Sequence, residues 1–206
     1  MKIGIMGAQN TGKSTFVQDF LQNWPMYKKN EKHYSSLVKE KGIKLNEEGN
    51  EESQEAIMNF IIDQVMPGSK KDKIIYDRTV LDNLMYTMWM NSKGMVSDEF
   101  VKKCIPIIKE SLTFYDILFF LPITKFSPIP IEEKEHRSSS LEFREESDHI
   151  MKALVNQYNL QNKTYFPFDN ELGCPAIVEI FGNREERIEL AKMYITPDGI
   201  AFRCLL

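Results

Sequence analysis

Eight consecutive residues near the start of the chain have the types and spacing needed to bind phosphate. Residues 7 to 14 read GAQNTGKS, which fits the pattern G-x-x-x-x-G-K-[ST]. Glycines let a backbone wrap closely around an anion, so that successive N–H groups point at phosphate oxygens. In such a loop Lys13 would reach the β- and γ-phosphates and the Ser14 hydroxyl would bind Mg²⁺. We predict that a nucleotide is held by Gly7, Asn10, Thr11, Gly12, Lys13, Ser14 and Thr15.

The residues on either side of this loop have the periodicities that it requires. Lys2 to Met6 form a short apolar run, which is typical of a buried parallel strand. After Ser14, apolar residues recur at helical spacing up to Trp24, and Pro25 ends the predicted helix. The following helix would add its positive N-terminal end to the site. Because strand, loop and helix follow in this order, a chance match to the pattern is the weaker interpretation.

A second group that could do chemistry is Asp77 with Arg78, directly after a strand predicted over residues 73 to 76. A carboxylate at the end of a buried strand beside a phosphate loop is the usual place for a metal ligand or a base. The guanidinium of Arg78 offers five fixed donors suited to phosphate. Two structural alternatives stay open: Asp77 caps the next helix, and Arg78 pairs on the surface with Asp82.

Two further segments could complete a site for phosphoryl transfer. Residues 132 to 144 read EEKEHRSSSLEFR, and we predict a lid over about 122–140 from which Arg137 and Arg144 meet the transferring phosphoryl group. The alternative is an acidic surface loop whose arginines balance its glutamates. Gly182, after the last predicted strand, lies where an adenine ring could be placed, although it could equally be an ordinary turn residue. Tyr34, Tyr86 and Trp89 are candidates for a base pocket.

The elements that must position these residues alternate between strand and helix. We predict strands at residues 2–6, 73–76, 116–121 and 176–181, and helices at 13–24, 33–39, 53–66, 81–90, 97–112, 141–158 and 184–194. Alternation of this kind favours a parallel sheet with helices on both faces, and its ligands bind outside the carboxyl ends of the strands. The phosphate loop, Asp77, the segment after Leu121 and the loop after Phe181 should therefore meet on one rim.

Length and composition limit the class of protein. The 206 residues suit one domain, and the hydrophobic content of 42% and charged content of 27% are ordinary for a soluble globular protein. A formal net charge of −4 gives no global field that would attract nucleic acid, although a local basic groove is left open. The three cysteines are scattered and lack a C-x-x-C pair, which favours a reduced, cytoplasmic setting. We expect neither a signal peptide nor a membrane span.

At these residues the chain resembles the P-loop nucleoside and nucleotide kinases, and within them the NadR-like (AAA_28) family, which includes nicotinamide riboside kinase domains. The resembling segments are GAQNTGKST at 7–15, SQEAI at 53–57, YDRTVLDNLMY at 76–86, the pair of arginines seven residues apart in 137–144, and AIVEIFGNREER at 176–187. The resemblance implies a three-layer P-loop NTPase fold with a five-stranded parallel sheet and a kinase-type lid.

The same resemblance implies an ATP-dependent kinase of a nucleoside, a nucleotide or a related small acceptor, with a homodimer left open. By this resemblance Lys13 and Ser14 would hold ATP and Mg²⁺, Asp77 and Arg78 would serve the acceptor side, and Arg137 would be an arginine of the lid. With Arg144 added from the residues themselves, the candidate catalytic residues are Lys13, Asp77, Arg78, Arg137 and Arg144. Asp77 is either the base or, with Ser14, a ligand of Mg²⁺. The family often has E-x-x-R after the first helix, whereas the corresponding residues 31–34 here end in tyrosine, which leaves the acceptor open.

Two alternative functions remain from the sequence. One is a kinase of a modified base in DNA. The formal net charge of −4 argues against this function. The other is a nucleotide-gated switch or binding module. Residues 162–165 read Asn-Lys-Thr-Tyr and lack the aspartate of the guanine-binding N-K-x-D pattern, which disfavours a GTPase but not an ATP-bound switch.

Overall fold

A parallel sheet flanked by helices forms the centre of the molecule. The computed structural model describes residues 1–30, 49–66, 72–125 and 140–202. Within them the strands are β1 (Lys2–Met6), β2 (Lys28–Lys29), β3 (Ile74–Asp77), β4 (Ile117–Phe120) and β5 (Ala176–Glu179). They form one five-stranded sheet in the order β2-β3-β1-β4-β5, and every neighbouring pair is parallel. The predicted parallel α/β fold is confirmed.

Helices cover both faces of this sheet. They are α1 (Lys13–Asn23), α2 (Glu51–Val65), α3 (Val80–Ser92), α4 (Asp98–Leu112), α5 (Leu141–Asn159) and α6 (Arg184–Lys192). Because side chains alternate along a strand, each strand contributes to two cores. Ile117 and Phe119 of β4 pack with α1 and α6 on one face, whereas Leu118 and Phe120 pack with α2 to α5 on the other.

The register of the sheet brings the predicted site residues to one edge. Strand β1 lies between β3 and β4, and Ile5 pairs with Asp77 on one side and with Phe119 on the other. The phosphate loop leaves the sheet at the same end, and Leu121 N donates to Met6 O at 2.9 Å. Parallel strands therefore deliver the loop and the Asp77 carboxylate to the same rim, as the topology requires.

The structure differs from the sequence predictions in several elements. Strand β2 was not predicted, because two charged residues at a sheet edge carry no apolar pattern, and lysines are common on edge strands. Helix α3 continues to Ser92, into a predicted loop. The sequence predicts that Pro106 bends or starts the helix over 97–112, but Pro106 lies inside α4 and does not start it. The proline leaves the Lys102 carbonyl without an N–H partner, and both residues are exposed. The helix predicted at 33–39 lies outside the described residues.

None of the helices in the described segments combines the length and the apolar character that crossing a lipid bilayer requires.

Candidate functional site

The phosphate loop is held close to the end of β4, and this contact explains its first glycine. Gly7 has a φ of 145°, and a Cβ placed there would lie 2.6 Å from the Leu121 carbonyl oxygen. Gly12, with a φ of 82°, is the N-cap of α1. Asn10 is in the left-handed region at φ 54°. Loop residues therefore take conformations that favour glycine or asparagine.

We expect Gly7→Ala to lower the free energy of unfolding by about 2 kcal/mol or more, because both its φ and its Cβ contact are unfavourable. Gly94→Ala is the matched control, because Gly94 also has a positive φ, 71°, but no atom lies within 4 Å of an added Cβ. It should cost roughly 1 kcal/mol. Urea unfolding of both variants tests this, and equal losses would contradict the close approach of the loop to β4.

Lys13 is folded over the phosphate loop. Its Nζ donates to the carbonyl oxygens of Gly7 and Ala8, each at 2.6 Å, and the residue is 7% exposed. These carbonyls hold the ammonium group inside the loop, where a phosphate chain would meet it.

A hydrogen bond joins Ser14, at the end of the phosphate loop, to Asp77 at the end of β3. Ser14 Oγ donates to Asp77 Oδ2 at 2.8 Å, and Lys29 Nζ lies 3.4 Å from the same oxygen. Burial alone would raise the pKa of Asp77, but the charge of Lys29, the Ser14 hydroxyl and the charge of Lys13 together hold that pKa below its ordinary value. Asp77 is therefore ionised at neutral pH, which suits a metal ligand better than a proton acceptor.

Arg78 follows in a conformation that is unusual for a residue with a side chain. Its φ is 99°, and its N–H donates to the Ile5 carbonyl at 3.0 Å. The guanidinium carbon lies 5.7 Å from the centre of the Tyr86 ring. Strained backbone of this kind concentrates at functional sites. The alternative in which Asp77 caps the next helix is wrong, because the N-cap of α3 is Thr79.

Asp82 lies in the interior rather than on the surface, which overturns the proposed surface pair with Arg78. It is 1% exposed and accepts hydrogen bonds from the backbone N–H groups of Gly7 at 3.1 Å and Thr79 at 2.7 Å, and from the Thr79 hydroxyl. Burial raises the pKa of this carboxyl. Asp82 thus ties the start of α3 to the start of the phosphate loop.

Two buried arginines contact consecutive carbonyls of the loop. Arg144 of α5 donates to Asn10 O at 3.1 Å, and Arg187 of α6 donates to Thr11 O at 2.8 Å. They are 9% and 5% exposed, and burial lowers the pKa of each guanidinium. Within the described residues Arg144 Nε has no hydrogen-bond partner. The role predicted for Arg144, contact with the transferring phosphoryl group, stays a prediction, and the sequence gave Arg187 no role.

Gly182 belongs to the same rim, through Arg187. Arg187 Nε donates to the Gly182 carbonyl at 2.9 Å, so the loop after β5 and the phosphate loop share one guanidinium. Gly182 has a φ of 92°, and a Cβ there would meet the Glu186 side chain. Thr15 is half-buried in the first turn of α1. Arg137, Tyr34 and residues 126–139 of the predicted lid lie outside the described part of the chain.

A cleft with aromatic walls is lined in part by Arg78 and Asp82. The aromatic members of its lining are Tyr86, Trp89 and Phe143, and Gln54 and Asn83 are among its polar members. The Tyr86 and Phe143 rings are stacked, with centroids 5.7 Å apart, and Trp89 meets Phe143 edge-on at 4.5 Å. Tyr86 and Trp89 were predicted as pocket residues, whereas Gln54, Asn83 and Phe143 were missed. The available signal was two amides within the apolar faces of α2 and α3.

Comparisons with known proteins support the fold. The chain is 18% identical to a deoxyadenosine kinase from M. mycoides solved with dCMP and dCDP, with a TM-score of 0.62 over 94% of this chain and 97% of that one. A NadR protein in complex with NAD and AMP-PNP is 15% identical, with a TM-score of 0.63 over 98% of this chain and half of the NadR chain. A thymidylate kinase from Candida albicans is 16% identical, with a TM-score of 0.59 over 93% and 89% of the two chains.

No family model and no curated protein sequence matches the chain. At these identities the likeness establishes the fold that the chain shares with nucleoside and nucleotide kinases.

Proposed function

We propose that the protein is an ATP-dependent kinase that phosphorylates a nucleoside, a nucleotide or a related small acceptor. The observation that carries the proposal is the 2.8 Å hydrogen bond between the hydroxyl of the phosphate-loop Ser14 and the ionised Asp77 carboxylate, beside a ring-lined cleft. A phosphate loop alone would fit any NTPase. The adjoining cleft supplies a place for a second substrate.

The donor side of the site is suited to ATP with Mg²⁺. Backbone N–H groups of residues 7–14 would surround the phosphates, and Lys13 would neutralise charge on the β- and γ-phosphates. Ser14 and Asp77 would hold Mg²⁺, because both are hard oxygen ligands and already lie together. Among the described residues no group of three or more His, Cys, Asp or Glu is placed so that it could hold a metal ion. Bound there, Mg²⁺ would offset charge on the transferring phosphoryl group.

The acceptor side is the cleft beside Arg78. Its rings could contact a planar heterocycle, and Arg78, which lines the cleft, directly follows Asp77 in the chain. In the reaction an acceptor oxygen forms a bond to the γ-phosphorus while the bond from phosphorus to the β–γ bridging oxygen breaks, and ADP leaves with that electron pair. The acceptor proton is released.

The arginines would stabilise the charge that develops on the transferring group. Arg78 and Arg144 reach the rim from different elements, and we propose the same role for Arg137 in a lid over residues 122–140 of a single domain. Arg144 Nε, buried without a partner among the described residues, is a donor that a phosphate oxygen could satisfy.

A transfer assay tests the proposed function. The protein is incubated with ATP labelled on its γ-phosphate, Mg²⁺ and a panel of nucleosides, deoxynucleoside monophosphates, nicotinamide riboside and DNA with modified bases. We expect label on one small acceptor and ATP consumption that depends on it. Slow ATP hydrolysis without transfer to any acceptor would overturn the proposal in favour of a nucleotide switch. Labelling of DNA that weakens as the salt concentration rises would instead indicate a kinase of a modified base in DNA.

A further inference from the structure

The polar end of the cleft is built from two amides whose contacts fix which atom points where. Asn83 Nδ2 donates to the Gln54 backbone carbonyl at 3.1 Å and to Gln54 Oε1 at 3.0 Å. Thr87 Oγ1 lies 3.4 Å from the same Oε1 and donates to Asn83 O at 2.9 Å. Gln54 and Asn83 are 4% and 2% exposed. A buried amide network of this kind has few alternative arrangements.

The backbone carbonyl decides the orientation of both amides. A carbonyl oxygen only accepts, so the Asn83 group that faces it must be its NH₂. Asn83 Oδ1 is therefore turned away, and it is buried with no hydrogen-bond partner among the described residues. Asn83 Nδ2 also donates to Gln54 Oε1, which holds that oxygen toward Asn83. The Nε2 group of Gln54 therefore remains to donate to a ligand in the cleft that both residues line.

A buried acceptor without a partner is costly, and a ligand that brought an N–H group to it would remove that cost. The cleft thus presents a donor, Gln54 Nε2, beside an acceptor, Asn83 Oδ1. Tyr86 and Phe143, which are stacked on each other, line the same cleft with aromatic rings, and this favours a planar ligand. The matching ligand edge carries an acceptor next to an N–H donor.

We propose that Asn83 is a specificity-determining residue, which locks Gln54 so that the cleft selects a heterocycle with an exocyclic NH₂ group beside a ring nitrogen or carbonyl acceptor. The exocyclic NH₂ group projects furthest from the ring and would donate a hydrogen bond to the buried Asn83 Oδ1. The acceptor on the ring would accept a hydrogen bond from Gln54 Nε2. Without the contact to Asn83, Gln54 could reverse its amide and bind ligands with the donor and the acceptor in either order. The inference rests on the proposed function, since it concerns the acceptor of that kinase.

Matched pairs of nucleosides test the proposal, because their members differ only in that edge. Deoxyadenosine is compared with deoxyinosine, and deoxycytidine with deoxyuridine, by kcat/KM and by the rise in melting temperature that each causes without ATP. We expect the amino member to be preferred by about tenfold or more in the pair that the protein accepts. Asn83→Leu should reduce the preference to within about threefold, because Gln54 is released. The exposed Asn59→Leu is the matched control and should retain the preference.

Gln54→Glu is a second variant with nearly the same shape. It keeps an oxygen toward Asn83 Nδ2 but replaces the cleft donor with an acceptor, so it too should lose the preference for the amino member. A wild-type protein that binds both members equally, binds neither in either pair, or prefers the keto member contradicts the proposal, as does a folded Asn83→Leu variant that retains the preference. Failure of the kinase itself is distinguishable, because it would remove phosphate transfer while leaving the binding preference.

Discussion

Lys13→Met is expected to lower kcat for phosphate transfer by about 100- to 1,000-fold, the loss typical of removing one preorganised donor from a developing negative charge. The methionine keeps an unbranched apolar stem, so the variant removes the ammonium group with little change in packing. Because Lys13 Nζ also holds the Gly7 and Ala8 carbonyls, part of the effect could come from the loop itself. ATP affinity and thermal unfolding are therefore measured beside steady-state kinetics.

The control for this variant is Lys192→Met, which removes a lysine paired with Glu189 on the exposed side of α6. It should leave kcat unchanged. If Lys13→Met retained more than about a tenth of the wild-type kcat, the assignment of Lys13 to the transferring phosphates would be wrong.

Asp77→Asn is expected to lower kcat by about 100-fold and to raise the Mg²⁺ concentration needed for half-maximal rate. Lys29, the Ser14 hydroxyl and Lys13 hold the pKa of Asp77 below its ordinary value, although burial opposes them. Its negative charge is therefore present at neutral and weakly acidic pH and is lost only as the pH falls through that lowered value. Asparagine keeps the shape but removes the charge, which is the property that a divalent cation needs. The measurement is a Mg²⁺ titration of the rate.

The control is Asp63→Asn, which makes the same change at an exposed residue of α2. It should alter neither kcat nor the Mg²⁺ concentration needed for half-maximal rate. A large loss of rate in Asp77→Asn with an unchanged Mg²⁺ requirement would contradict the metal role. It would favour Asp77 as the acceptor of the substrate proton.

The phosphate loop could be predicted because its residues are contiguous and its flanking strand and helix have clear periods. The order of strand and helix also predicted the sheet, and the carboxyl-end rule predicted that Asp77 and the phosphate loop would meet on one rim. These are consequences of local pattern together with a small number of topological rules.

The remaining site residues could not be predicted in the same way, because their partners are distant in sequence. Arg187 contacts Thr11, 176 positions away, and Asn83 contacts Gln54, 29 positions away. In the sequence Gln54 and Asn83 are only polar interruptions of apolar helix faces. Asp82 is a typical helix-start acid, and its hydrogen bond to Gly7 is visible only when the loop and α3 are placed together.

The two guanidinium contacts to the phosphate loop also bear on how the molecule unfolds. Arg144 belongs to the helix layer on one face of the sheet and Arg187 to the layer on the other, yet they hold adjacent carbonyls of one loop. Detachment of either layer would therefore break a hydrogen bond to that loop. The loop therefore links the two helix layers. We expect backbone amides of the loop and of both layers to be protected against hydrogen exchange to a similar degree.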